Sequence, residues 1–177
     1  MKLLLWFAIA GFSAWAVSDI LEALSGGRTP TVYYLTSVYH ALAAVGVWGI
    51  HRAQSETGLN LSTIATVMQS VGLAIVVLLP LQLMRSGMEP SEFAIQNPHF
   101  IAGGLLNVLG MVALGAAIWR CGVFPRWTGV AIPIGAVLFI TLGVANAGLI
   151  ANIANVLLAA IFVYLAVLGL GARHASA

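Results

Sequence analysis

The chain has 177 residues, of which 61% are hydrophobic and only 7% charged. A soluble globular domain carries about 25% charged residues, so this composition excludes a water-facing enzyme and points to an integral membrane protein with no second, soluble domain. The formal charge of +2 and the pI of about 9.0 come from a handful of arginines. They bear on orientation in a membrane and imply no nucleic-acid partner. The single Cys121 leaves no internal disulfide and no CxxC redox or zinc motif.

Taken in chain order, six apolar runs are long enough for the roughly 20 residues that a spanning helix needs. They cover residues 3–24, 31–50, 61–84, 100–119, 127–147 and 149–171. The first run imitates a secretory signal, with Lys2 ahead of it and Ala14-Trp15-Ala16 near its end, but it is read as a retained membrane helix. The last two runs contain no charged residue between Trp127 and Ala172. One helix of that length would be about 68 Å long, twice the hydrocarbon thickness, so it must fold back, and Asn146-Ala147-Gly148 is the best breaker. Pro80 and Pro133 lie inside the third and fifth runs, where a kink is expected.

Orientation follows from Lys and Arg. If the N-terminus is inside, Lys2, Arg52, Arg120, Arg126 and Arg173 are cytoplasmic, against Arg28 and Arg85 outside. The expected fold class is therefore an all-α polytopic bundle of six transmembrane helices, a single domain over residues 1–177. Both termini are placed in the cytoplasm and the bundle in a bacterial-type inner membrane. Trp6, Trp48, Trp119 and Trp127 then fall near the inner interface.

Only five acidic residues exist in the chain, yet Asp19 and Glu22 sit three apart inside the first run. That spacing puts them on one helical face with Trp15 and Ser18. Asp19 lies roughly 7 Å inside the outer end, and Glu22 is one turn nearer the surface. The second run carries Tyr33, Ser37 and His40 as one polar stripe, with His40 about 13 Å below the outer end. Gln82 ends the third run, His99 precedes the fourth, and Gly103, Asn107 and Gly110 share one face of it. Asn146, Asn152 and Asn155 flank the outer hairpin of the last two runs. A weaker inner-half group comprises Ser62, Thr66 and Gln69. An isolated carboxylate or amide facing lipid costs several kcal/mol, so these groups should turn inward.

Each has a bland reading beside the functional one. Glu22 fits among lipid headgroups. His40 fits as a neutral interior histidine bonded to a carbonyl or to Ser37. The three asparagines fit as caps of a buried turn, Asn107 as polar glue at a close helix crossing, and Tyr33 as an interface anchor. Asp19 is the hardest to explain away.

No G-x-G-x-x-G, H-E-x-x-H or G-x-S-x-G motif is present. No lysine beyond Lys2 enters a span, which excludes a retinal-type Schiff base. The histidines are too far apart in depth for a two-histidine haem site, and Asp19, Glu22 and His40 form only a weak metal set. No cofactor or metal is expected. The leading expectation is a membrane enzyme or binder, of cyclase or isomerase type, acting on a small isoprenoid- or quinone-like molecule. Asp19 acts as proton donor, with Glu22 and His40 as catalytic partners. Trp15, Tyr33, Ser37, Gln82, Asn107, Asn146, Asn152 and Asn155 line the substrate cavity in the outer half. The partners are then membrane lipid and that lipophilic substrate, with a homo-oligomer or membrane complex as further candidates. The alternatives are a small transporter or channel with a proton- or cation-coupled acidic site, or an accessory subunit of a membrane complex. An inner half that is almost wholly apolar argues against a conduit.

Overall fold

The computed structural model describes residues 1–54, 59–144 and 148–171. Among them every regular element is helical, in the order α1 (Lys2–Ser25), α2 (Pro30–Gln54), α3 (Leu59–Val76), α4 (Leu79–Ser86), α5 (Pro90–Gln96), α6 (Pro98–Cys121), α7 (Arg126–Val144) and α8 (Leu149–Gly171). Four stretches are long and apolar enough to cross a membrane: Lys2–Ser25, Leu61–Ser86, Pro98–Cys121 and Leu149–Gly171. These are the helices of a membrane protein. Helix α2 has the length, at 25 residues, but Tyr33, Thr36, Ser37, Tyr39 and His40 dilute its apolar character. Helix α7 is apolar but shorter.

The long helices close into a ring in chain order, each packed on its predecessor: α1 on α2, α2 on α3, α3 on α6, α6 on α7, α7 on α8, and α8 back on α1. Neighbours run antiparallel. Gly46 and Gly49 near the end of α2 meet Ala8 and Leu5 near the start of α1, whereas Ser18 late in α1 bonds the Val32 carbonyl early in α2. The bundle thus has two ends. One holds Arg28, Arg85 and the 26–29 turn and is called the Arg28 face; the other holds Lys2, Arg52, Arg120 and Arg126 and is called the Arg126 face.

Glycine sets how closely α1 and α2 approach. A Cβ on Gly46 would overlap the Ala8 backbone, and one on Gly49 would stand 2.7 Å from the Leu5 nitrogen. Small residues of this kind let helix backbones come close where lipid offers no hydrophobic drive to associate. One core fills the ring, with Leu5, Phe12, Trp15, Tyr39, Leu73, Met111, Ile132 and Phe162 among its buried members.

Two details differ from expectation. Pro80 does not merely kink the third run. Helix α3 ends at Val76, Val77 makes a tight turn onto the Ala74 carbonyl at 3.4 Å, and α4 restarts with Pro80 in its first turn. Proline's ring clashes with the carbonyl four residues back, which is that of Val76, so the break falls where the helix ladder fails. The connection after Arg85, between the third and fourth apolar runs, contains α5. Pro90 opens it with Glu92 in its first turn, both ordinary helix-start signals, and Phe93 packs beneath Val76, Leu79 and Leu83.

Candidate functional site

Helix α1 brings Ser18 and Asp19 to different neighbours because successive residues point about 100° apart. Ser18 faces α2, within 2.9 Å of the Thr36 hydroxyl and 3.3 Å of the Val32 carbonyl. Asp19 faces α8. Its carboxyl is buried, at 7% exposure, and is approached by the Asn155 side chain and by Trp15 one turn back on α1. The Asp19 Oδ2 and Asn155 Oδ1 atoms have no protein partner. Asp19 and Asn152 also lie in the wall of a groove of about 250 Å³ between α1 and α8 near the Arg28 face. The remaining wall is apolar: Ile20, Ala23 and Leu24 on α1, and Leu149, Ile153 and Leu157 on α8. Most of these apolar residues are exposed on the outside of the bundle. The groove therefore opens sideways, where hydrocarbon chains would lie, with a carboxyl and an amide at its inner wall.

Behind Asp19 stands an aromatic cluster. Trp15 stacks on Tyr39 with ring centroids 4.8 Å apart and meets Phe139 edge-on at 5.9 Å, and Phe12 stacks on Phe162 at 4.3 Å. Tyr39 is buried in this cluster, close enough to Asp19 to feel its charge, and its hydroxyl is approached by the Asn107 side chain of α6. Sequence reasoning passed over Tyr39 because it lies off the Tyr33–Ser37–His40 stripe. The signal available was its place, with Val32, Thr36 and Ala43, on the face of α2 that packs on α1.

The other expected site residues are spread more widely. His40 sits beside Tyr39, ring centroids 4.6 Å apart, and reaches back toward the Thr36 carbonyl; its Nδ1 is buried without a partner. No hydrogen bond or ion pair joins it to Asp19 among the described residues. Its stripe faces α3 and α4: Tyr33 packs on the Val76–Leu79–Leu83–Phe93 cluster, and Ser37 is buried with an unpartnered hydroxyl. Glu22 is paired with Arg28 at 3.2 Å, in an arrangement still 22% and 41% exposed. Gln82 is exposed on α4. Asn146 lies outside the described residues. No three of the described His, Cys, Asp and Glu residues converge in a way that would hold a metal ion.

The half toward the Arg126 face is less oily than expected. His51, just past the second apolar run, is buried and its Nδ1 lies 2.8 Å from the Ser62 hydroxyl. Thr66 donates to the Ser62 carbonyl, while Gln54 and Gln69, each 1% exposed, have neither side-chain atom partnered. No protein-family model matches the chain, and neither a curated protein nor a solved structure shows significant similarity to it.

Proposed function

We propose that the chain is a six-span membrane protein that holds a lipophilic small molecule in the α1–α8 groove by its polar group. Four helices meet the length and apolarity of a span, and α2 and α7 each pack between two of them in an antiparallel ring, which favours all six crossing together. The excess of Lys and Arg on the Arg126 face favours that face, with both termini, as cytoplasmic in an inner membrane of bacterial type.

The observation that carries the reading is Asp19, a buried carboxyl with one oxygen lacking a protein partner, set in the wall of an otherwise apolar, sideways-opening groove. A buried acceptor left unpaired costs roughly 1–3 kcal/mol, and a hydroxyl, carbonyl or amine on a bound molecule would remove that cost. Long apolar walls suit an isoprenoid- or quinone-like chain. A carboxylic acid in such surroundings is also placed to hand a proton to an alkene, epoxide or enol, the step of a cyclase or isomerase. Tyr39, stacked on Trp15 beside the carboxyl, takes the supporting place that sequence gave to His40.

The test is an organic extract of the purified protein, compared with that of Asp19→Asn. A single isoprenoid or quinone species in stoichiometric amount, reduced about tenfold by a loss of ~1.4 kcal/mol of binding in the variant, is the expected result. Bulk phospholipid alone in both extracts overturns the reading.

A further inference from the structure

The buried polar groups of the Arg126 half are strung along the bundle axis, and their levels follow from two sets of contacts. Helices α2 and α3 are in register through His51 with Ser62, and through the Ser70 hydroxyl donating to the Ala44 carbonyl at 2.6 Å. Helices α3 and α6 are in register where Gly72 meets the Asn107 backbone and Gly110 meets Gln69. Taking the rise per residue, Gln54 lies about 4.5 Å nearer the Arg126 face than His51 and Ser62. Thr66 lies about 6 Å above Ser62, Gln69 about 4.5 Å above Thr66, and Asn107 about 4.5 Å above Gln69. Asn107 approaches the Tyr39 side chain, and Tyr39 stacks on Trp15, one turn from Asp19 on α1. A water hydrogen-bonded to two partners spans roughly 5–6 Å, which matches the rise of each of these steps along the axis.

Along this line Gln54, Gln69 and Asn107 have buried side-chain atoms that no protein group satisfies. Buried polar atoms in folded proteins are paired with protein or with ordered water, and polar hollows hold water where apolar ones stay dry. Val47, Leu73 and Met111 are buried members of the bundle core, so the surroundings available to such water are otherwise apolar.

We infer that the buried polar column from Gln54 through His51–Ser62, Thr66, Gln69 and Asn107–Tyr39 to Asp19 is a hydrated proton path linking the Arg126 face to the α1–α8 groove. A proton enters beside Gln54, O–H bonds break and re-form along the water file, and it reaches the Asp19 carboxyl. Asp19 then passes a proton to water at the partly exposed Glu22–Arg28 pair, one turn nearer the Arg28 face. One proton moves, nothing is oxidised or reduced, and a counter-ion balances the charge. This function stands whether or not the groove holds a lipophile, and a lipophile does not require it.

The experiment uses the full chain in liposomes loaded with potassium and a trapped pH dye, with valinomycin setting an inside-negative potential. Wild-type vesicles should acidify at least tenfold faster than protein-free ones. Gln69→Met, which keeps the length and removes the amide, should slow this at least fivefold, and Thr66→Val at least twofold. Thr141→Val, on the exposed outside of α7, should leave the rate unchanged. Acidification no faster than in protein-free vesicles overturns the path. So does a wild-type rate in folded Gln69→Met or, should that variant misfold, in folded Thr66→Val.

Discussion

Two seams of the bundle carry polar side chains in apolar surroundings, and they differ in access. At the α1–α8 seam near the Arg28 face, Asp19 and Asn152 meet a groove open to the side, with Asn155 beside Asp19. At the α2–α3–α6 seam, Gln54, Ser62, Thr66 and Gln69 are each about 1% exposed and enclosed on all sides. Unpartnered polar atoms occur in both. A bound molecule can satisfy those of the first from the membrane, whereas only water can reach those of the second. Chemistry of the same kind thus supports a ligand site in one place and an internal path in the other, and the packing of neighbouring helices makes the difference.

Substitutions can break or sharpen this contrast. The largest effect is expected from Gly46→Leu, which would drive α1 and α2 apart, since even a Cβ overlaps Ala8 there. It should cost about 3 kcal/mol or more in reversible unfolding and disturb both seams. Gln69→Met touches only the enclosed seam. Removing two unpartnered buried atoms should leave the protein as stable or more stable by about 1 kcal/mol, with unchanged lipophile content. A loss above about 2 kcal/mol would show that Gln69 has structural partners instead. Ser62→Ala removes the His51 hydrogen bond and should lower stability by about 1 kcal/mol in denaturant titration, again without touching the groove. Smallest is Glu22→Gln. The Glu22–Arg28 pair is partly exposed, so its loss should change stability by less than about 0.5 kcal/mol and vanish in high salt.

Much of the fold was legible in the sequence because span length is a one-dimensional property. The runs 3–24, 100–119 and 149–171 became α1, α6 and α8 with ends within about two residues, the ordinary uncertainty of helix boundaries. Pro80 announced a disturbance, although its depth, a full break, depends on what α4 and Phe93 pack against. The helical face of Asp19 was also legible, since i, i+3 and i+4 spacing fixes which residues share a side. Which neighbour that side meets was not. Asp19 and His40 each belong to an inward polar stripe, yet one stripe faces α8 and the other faces α3 and α4, and no spacing within a single helix reveals the difference. For the same reason Tyr39, flanked by the more polar stripe, gave no sign that it would stand against Trp15. His51 and Gln54 follow the second apolar run, which ends at residue 50, while α2 in fact continues to Gln54 and carries both inward.

The central claim is that the α1–α8 groove holds a lipophile against Asp19. Photolabelling with an isoprenoid alcohol bearing a diazirine on its chain, in membranes, tests it most directly through the labelled peptides. The account predicts that label concentrates on residues 20–24 and 149–157, and that Asp19→Asn abolishes this concentration. Label spread evenly over the exposed faces of α6 and α7 as well, with no response to Asp19→Asn, would contradict it.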